Sequence, residues 1–476
     1  VDGRDGTVTM DLTARSDWLW RWARSQWDAE TGFVLNPPGG YVELGSLAGR
    51  HLVRETAWFA LGALDHGEAE IASRALGAVL ARQYDRSRAA WHGTFPVFAH
   101  DDEPGEDAIE WYSYDPNWRQ FVGLALALIL EHHADGLPGD VRGACEQAVV
   151  RCVAGEPEQR IAPSYTNPAL MHAWLSRWVG ERFGLTRCAT HGDELAAAVM
   201  ERFRSQGTVD EFNSPTYYGV DLVAAALWCT VDEPEWQTAG RALLATLEDE
   251  LRFLYHPALH NLCGPFTRAY TLDFGAAVTL YGLWRLVALG DPDGLPQLTG
   301  AIPHSHDLFF TPLIEWAQRA SPLPFPADDR SLPRERAFTP GGGRRATARL
   351  GRDVMVGAEE GGGRGDRVWD QYVPGTLHCS DDGALRWLAV RGQRDCPVDC
   401  HVDGPAALIA EPGAGATCPI LLTTSGPVEQ VTPRSVRVGA RLLASSDAHL
   451  SVDTTWDGRP IIRADHPSRS CRLEAT

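Results

Sequence analysis

The sequence predicts a mainly α protein with a β domain: an (α/α) toroid of six helical hairpins followed by an antiparallel β-sandwich. Three observations predict it. Apolar residues return every three to four positions from about Asp11 to Gln318. Four short proline-containing segments recur within that region at nearly constant spacing. Beyond residue 345 the helical period gives way to short strand-like runs separated by Gly, Asp, Pro and Ser.

The helical stretches read as Trp18–Trp27, Glu55–Leu64, Glu68–Arg82, Trp118–His132, Val141–Val153, Pro168–Phe183, Asp193–Phe203, Tyr218–Trp228, Pro234–Leu254 and Asp273–Ala288. With less regular elements at the ends, eleven to thirteen helices are expected. Pro168 and Pro234 stand at or near helix starts, where a missing amide hydrogen costs little. A Pro-, Arg- and Gly-rich stretch over 321–345 reads as a linker. The expected division is therefore a toroid over 1–320, that linker, and a sandwich over 346–476. Its strands read as Ala346–Val356, Leu385–Arg391, Ala407–Ala410, Pro419–Thr424, Val436–Leu443 and Pro460–Ala464.

The four segments are Tyr114-Asp-Pro-Asn-Trp118, Ser164-Tyr-Thr-Asn-Pro168, Glu211-Phe-Asn-Ser-Pro-Thr-Tyr-Tyr-Gly219 and Gly264-Pro-Phe-Thr-Arg-Ala-Tyr270. Their prolines are 52, 47 and 50 residues apart. A period near 50 fits one hairpin of two helices with its loops, and hairpins closed in a ring would place all four segments on one rim. Pro, Asn, Ser and Asp are also plain helix-start chemistry. The added Tyr165, Tyr217, Tyr218, Arg268, Tyr270 and Trp118 are what an active site or a sugar platform would need.

Composition limits the chemistry. The net charge of −20 argues against nucleic acid or an anionic membrane as a general partner. No apolar run approaches the roughly 18 residues a membrane span needs. The chain has no lysine, which excludes a pyridoxal Schiff base and a Walker-type phosphate loop. Its ten cysteines lack a framework spacing; most are flanked by apolar residues and read as small buried hydrophobes, in a reducing compartment. No apolar signal core stands at the first residues, so the chain as it stands reads as cytoplasmic, or as secreted if a signal was removed. Its oligomeric state is not legible.

His256 and His260 are four apart, a spacing that suits a metal on a helix, but Pro257 admits only a helix start there. Pro303-His-Ser-His306-Asp and Cys396-Pro-Val-Asp-Cys400-His401 lack the second pair of a closed zinc site. No metal and no cofactor are expected. Carboxylates Glu55, Glu110, Asp115, Asp210, Glu211 and Asp221 fall near the rim segments, and a pair flanking a glycosidic bond would make a glycosidase.

Glu211-x-Asn-Ser-Pro-x-Tyr-Tyr-Gly219 resembles the tyrosine segment of toroid-fold polysaccharide lyases, the heparinase II/III-like, alginate and chondroitin/hyaluronan lyases. Gly264-Pro-Phe-Thr-Arg-Ala-Tyr270 is similar to their arginine-bearing segment, and Ser164-Tyr-Thr-Asn167 to the one that supplies a carboxylate-binding asparagine. The resemblance implies β-elimination at a uronic acid in a saccharide substrate. It implies Tyr218, or Tyr217, as acid/base, Arg268 for charge stabilisation and Asn167 for carboxylate binding. Asn213 stands where many of these lyases carry a histidine, which leaves His256 or His260 as the histidine of the site. Asn213, Asn117, Trp118, Glu211 and Tyr270 are the further substrate-binding candidates. A glycoside hydrolase, a dehydratase or isomerase of a small metabolite, and a non-catalytic carbohydrate-binding protein are the alternatives.

Overall fold

The computed structural model describes residues 12–41, 47–321, 331–361, 371–393, 396–413, 418–454, 460–464 and 470–476. It divides into two compact units, neither of them one uninterrupted stretch. Unit 1 comprises residues 1–201, 219–242 and 275–323; unit 2 comprises 202–218, 243–274 and 324–476. The four proline segments divide evenly: Pro116 and Pro168 belong to unit 1, Pro215 and Pro265 to unit 2.

Eleven α-helices occur among the described residues: α1 (Leu12–Ser25), α2 (Arg54–Asp65), α3 (Ala69–Leu80), α4 (Trp118–His132), α5 (Gly139–Ala154), α6 (Thr166–Phe183), α7 (Thr186–Gln206), α8 (Tyr218–Trp228), α9 (Pro234–Leu254), α10 (Leu280–Trp284) and α11 (Thr311–Ala320). Within unit 1, burial separates inner from outer helices. Nearly every residue of α2, and all of α4 from Trp118 to Leu130, is buried. Helix α3 buries one stripe, Ala72, Ala75, Leu76 and Val79, and α5 does the same through Cys145, Ala148, Val149, Cys152 and Val153. A helix apolar all round belongs inside, and one with a single stripe lies on the outside.

The inner helices run the same way. At their starts, the Arg54 guanidinium lies 4.3 Å from the Trp118 ring centre, and Asn117 Nδ2 donates to the Tyr165 hydroxyl at 2.8 Å. At their ends, His133 Nε2 is 3.0 Å from Asp65 Oδ1, and Trp178 Nε1 donates to Glu131 Oε2 at 3.2 Å. Phe310, just before α11, meets Trp58 of α2 edge-on at 5.0 Å and brings the last hairpin beside the first.

Unit 2 contains two antiparallel sheets. One has eight strands in the order 450–454, 460–464, 420–424, 384–390, 375–381, 354–360, 345–350, 334–338. The other has six, in the order 398–402, 407–412, 471–475, 442–446, 435–438, 428–432. Val356, Leu377 and Leu388 of the first sheet share one core with Leu408, Val436 and Leu473 of the second, so the sheets pack face to face as a sandwich. Strand 345–350 alternates between buried and open positions, as a half-covered strand should, whereas 354–360 and 375–381 are buried on both faces. Residues 255–274 of the same unit cover that second face: His256 Nε2 bonds the Gly351 carbonyl at 2.9 Å and Gly264 N donates to Thr376 Oγ1 at 3.1 Å.

Four sequence expectations are corrected. The run 273–288 is helical only from Leu280, because Thr279 caps that start by accepting from Gly282 N, and Val278 N is bonded to the Pro303 carbonyl. The runs 346–356 and 436–443 are each two strands with a turn between them. Strand 334–338 lies inside the stretch read as linker, of which 322–330 falls outside the described residues. Cys396 is paired with Cys418 in a disulfide closing 22 residues, against the expectation of reduced cysteines. The other eight are free, and six of those are buried.

Candidate functional site

In unit 2 the third and fourth proline segments meet. Arg268 donates through Nη1 to Glu211 Oε1 at 2.7 Å, through Nη2 to the Tyr217 hydroxyl at 2.9 Å, and through Nε to Gln371 Oε1 at 2.9 Å. Its guanidinium also lies 4.0 Å from the Tyr217 ring centre. The Tyr217 and Tyr270 hydroxyls are 2.8 Å apart, and Tyr270 is 38% exposed. One cation thus holds a carboxylate and a tyrosine hydroxyl, with a second hydroxyl leading to solvent. A cation at hydrogen-bonding distance from a phenol oxygen favours the negative charge of a phenolate.

The framework of this cluster is backbone bonding. Ser214 Oγ donates to the Arg268 carbonyl at 2.7 Å, and Tyr270 N donates to Thr216 Oγ1 at 3.2 Å. Asn213 takes the left-handed conformation (φ 52°), which Asn tolerates better than most residues. Its Nδ2 donates to the carbonyls of Cys263 and Pro265, both at 2.7 Å, and the residue is wholly buried. Asn213 therefore ties the two segments together from beneath the cluster.

Tyr218, the neighbour of Tyr217, faces the other way. It is 0% exposed, and its hydroxyl donates to Glu250 Oε2 at 2.8 Å. Burial pushes the Glu250 carboxyl up to about 7, despite the bonds from Thr208 and Tyr218. His256 and His260 are on a β-hairpin, strands 255–256 and 261–262, rather than a helix. His256 is buried, with its imidazole held low by that burial, while His260 is exposed at the turn with φ 47°. The hairpin turns at 257–260, so the two histidines do not share a helix face. His378, on strand 375–381, is buried too; burial lowers it to about 4, and Nε2 bonds the Leu272 carbonyl at 3.0 Å.

Unit 1 carries a different arrangement at the starts of α2 and α4. Arg54 Nη2 donates to Glu55 Oε1 at 2.6 Å and to the Tyr41 hydroxyl at 3.0 Å, and the Tyr41 hydroxyl donates to the same Glu55 oxygen at 2.7 Å. The Arg54 guanidinium is enclosed by Trp58 at 4.4 Å and Trp118 at 4.3 Å. Burial works against its charge, but Glu55, Tyr41 and Asp307 more than offset that and hold it protonated. Trp118 is buried against this cation.

His304, His306 and Asp307 bring one potential metal ligand each within 4.8 Å of one another. The hydrogen bonding argues against a cation there. Tyr41 N donates to His306 Nδ1 at 3.1 Å, so neutral His306 carries its proton on Nε2, the atom 3.5 Å from Asp307 Oδ1. A protonated nitrogen has no lone pair for a metal, and Arg54 lies 3.9 Å from Asp307.

The first two proline segments meet beside this network. Arg160 Nη2 donates to Glu156 Oε2 at 3.0 Å, and Arg160 Nη1 to Asn117 Oδ1 at 3.1 Å; Glu110 lies 3.7 Å from Arg160. Asn117 N donates to Asp115 Oδ1 at 2.8 Å. Burial raises the Asp115 carboxyl to about 6, although that amide and the charges of Arg54 and Arg160 oppose it. Asn167, in the first turn of α6, is buried in this unit. Asp221 is also buried in unit 1, whereas Asp210 in unit 2 is bonded to Arg202 at 2.6 and 2.9 Å.

Two aromatic residues not singled out in the sequence stand open at this site. Trp111 is 54% exposed and Tyr112 89%, and Trp111 sits edge-on to Tyr165 at 6.3 Å. Trp111 has φ 68°, an uncommon conformation for a bulky residue, with its amide bonded to the Tyr114 carbonyl at 3.0 Å. No periodicity marks residues 101–114, so only the pair of adjacent aromatics in an acidic loop could have drawn notice. Arg160 and Glu156 were also missed, as an ordinary i, i+4 pair.

The profile described as "Domain of unknown function (DUF8769)" matches residues 17–318, and the chain belongs to that family. No curated protein matches the chain. Among solved structures, heparinase III is similar over 99% of this chain and 87% of that one, with 9% identity and a TM-score of 0.53. A glycosidase in complex with glucose is similar over 67% of this chain and 99% of that one, at 14% identity and TM-score 0.41. A heparan sulfate lyase from Pedobacter heparinus is similar over 89% and 92%, at 9% identity and TM-score 0.23. The likeness to heparinase III is one of fold, a helical toroid followed by antiparallel β-sheets; the other two are too distant to add to it. Among the described residues no helix is long and apolar enough to cross a membrane.

Proposed function

We propose that this DUF8769 family member is a carbohydrate-active enzyme, a lyase that cleaves a uronic-acid-containing saccharide by β-elimination with Tyr217 as acid/base. One observation carries the reading: the Tyr217 hydroxyl is held between the Arg268 guanidinium at 2.9 Å and the Tyr270 hydroxyl at 2.8 Å. A proton beside a carboxylate is hard to remove until positive charge or hydrogen bonds stabilise the developing anion. Arg268 supplies the charge, and Tyr217, as phenolate, takes the proton. The electron pair left behind forms the double bond as the glycosidic C–O bond breaks, and the departing oxygen takes a proton from Tyr217. Tyr270, at the solvent side, exchanges protons with water. Tyr217 replaces Tyr218 in this role because the buried Tyr218 hydroxyl is committed to Glu250. The fold shared with heparinase III supports the same reading.

The second reading is a glycoside hydrolase at Asp115. A carboxyl raised to about 6 keeps its proton close to neutrality, as a general acid for a glycosidic oxygen must. A saccharide panel that includes polyuronates, read together for near-ultraviolet absorbance and reducing ends, separates the two. A lyase gives an unsaturated, absorbing product and stops in Tyr217→Phe; a hydrolase gives reducing ends alone and stops in Asp115→Asn. Absence of absorbance with every acidic glycan would sink the lyase reading.

A further inference from the structure

Unit 1 has a cavity of about 890 Å³ at the C-terminal ends of its inner helices, opposite the ends that carry Arg54, Asn117 and Asn167. Helix α4 has 15 residues, so at 1.5 Å per residue its two ends are about 20 Å apart. The walls come from the last turns of α2, α4 and α11, the C-terminal half of α6 and the residues following α8. We propose that this cavity is a second binding site, for a neutral saccharide of one or two rings.

Three indoles line it: Trp174, Trp178 and Trp316. Trp174 and Trp178 lie nearly parallel, with centres 6.1 Å apart and planes at 20°. Trp178 is only half-buried. Trp174 and Trp316 are themselves buried, so Trp178 offers the open face. Such a face takes the apolar C–H face of a pyranose, while the ring hydroxyls need planar polar groups at the edge. Glu131 and Arg182 are placed for that. Trp178 Nε1 and Arg182 Nη1 both bond Glu131 Oε2, at 3.2 and 3.4 Å, and neither uses Oε1. Across the cavity, Trp316 Nε1 donates to His132 Nε2 at 2.8 Å, which fixes that indole in place. The size is within the range of about 300–1,000 Å³ usual for small-ligand sites.

Charge selects a neutral ligand. Asp65, Glu131, Glu181 and Asp232 line the cavity against Arg177, Arg182 and Arg319. The arginines are already engaged: Arg319 Nη2 is 2.9 Å from Asp65, and Arg177 Nη1 is 2.7 Å from Asp193. The helix C-termini add negative partial charge. A uronate or sulfated sugar would be repelled, whereas a ring without charge meets spare donor and acceptor capacity on each ion pair.

The test is calorimetric titration of the full chain with methyl glucoside, maltose, cellobiose and lactose, with glucuronate and tetramethylammonium as charged controls. At least one neutral sugar is expected to bind and both controls to fail. In Trp178→Ala affinity should fall about tenfold or more, while Trp178→Phe, which keeps an aromatic face and guards against misfolding, should retain most of it. Tyr217→Phe should bind unchanged, which separates this site from the proposed catalytic one. Binding of a charged control instead, binding that survives Trp178→Ala, or no binding by any neutral sugar overturns the proposal.

Discussion

The Tyr217–Arg268 cluster of unit 2 and the Arg54–Glu55 network of unit 1 are both built from one arginine, one glutamate and a tyrosine, yet they suit different work. Arg54 and Glu55 are neighbours in sequence, sealed between indole rings, and their tyrosine hydroxyl is turned onto the same carboxylate. Arg268 reaches Glu211, Tyr217 and Gln371 from distant stretches of chain, and its tyrosine hydroxyl passes on to the half-exposed Tyr270. Sealing a charge fixes geometry but withdraws the group from substrate and solvent. Leaving one side open keeps the proton exchangeable, which acid/base chemistry requires.

The sharpest break of this contrast is catalytic. Tyr217→Phe should lower elimination on the responsive polyuronate by about 10²–10⁴-fold, with little change in folding stability. If reducing ends form without absorbance, and Asp115→Asn abolishes them while Tyr217→Phe does not, the hydrolase reading replaces the lyase one. Next in size is Arg54→Met, which strands Glu55 as a buried, unpaired charge; about 3–5 kcal/mol of stability should be lost in denaturant unfolding. A loss below 1 kcal/mol, which about matches a surface pair, would show that the network is not sealed.

Glu250 tests burial within unit 2. Its carboxyl is raised from 4.5 to about 7, so the folded state holds that proton more tightly than the unfolded chain. Its contribution is therefore complete below the ordinary carboxylate range and is lost as the pH rises through about 7. Unfolding at pH 4 and pH 8 should show Glu250→Gln gaining on the wild type at the higher pH, by up to about 3 kcal/mol. A constant difference between the two proteins would contradict the buried Tyr218–Glu250 pair. The smallest effect belongs to the open aromatics of unit 1. On the hydrolase reading, with Trp111 as a sugar platform in the same unit as Asp115, Trp111→Ala should raise KM about three- to tenfold with kcat little changed.

Much of this was legible in the residues. Helices α4, α8 and α9 have the bounds their apolar period predicts, because fully buried or strongly amphipathic helices write their environment into every turn. Three of the four proline segments lead into helix starts, those of α4, α6 and α8, whereas the fourth, with Pro265, does not, the next helix beginning only at Leu280. Gly219 is required by packing, since a Cβ there would lie 2.4 Å from the Leu280 carbonyl oxygen. The stretch 273–279 misled because its apolar residues pack without helical bonding. The Cys396–Cys418 pairing was hidden because nothing in spacing says which strand ends meet.

The sequence alone determined the order of the layers, helical toroid then antiparallel sheets, because hydrophobic period is a local property that survives any arrangement of neighbours. It also determined which chemical groups each proline segment would bring. Only the tertiary structure decided which of two adjacent tyrosines faces outward. Successive residues at a helix start differ in direction by about 100°, so Tyr217 and Tyr218 cannot share an environment. The choice between them was made by what packs on either side: Glu250 within reach of one, Arg268 and Tyr270 of the other.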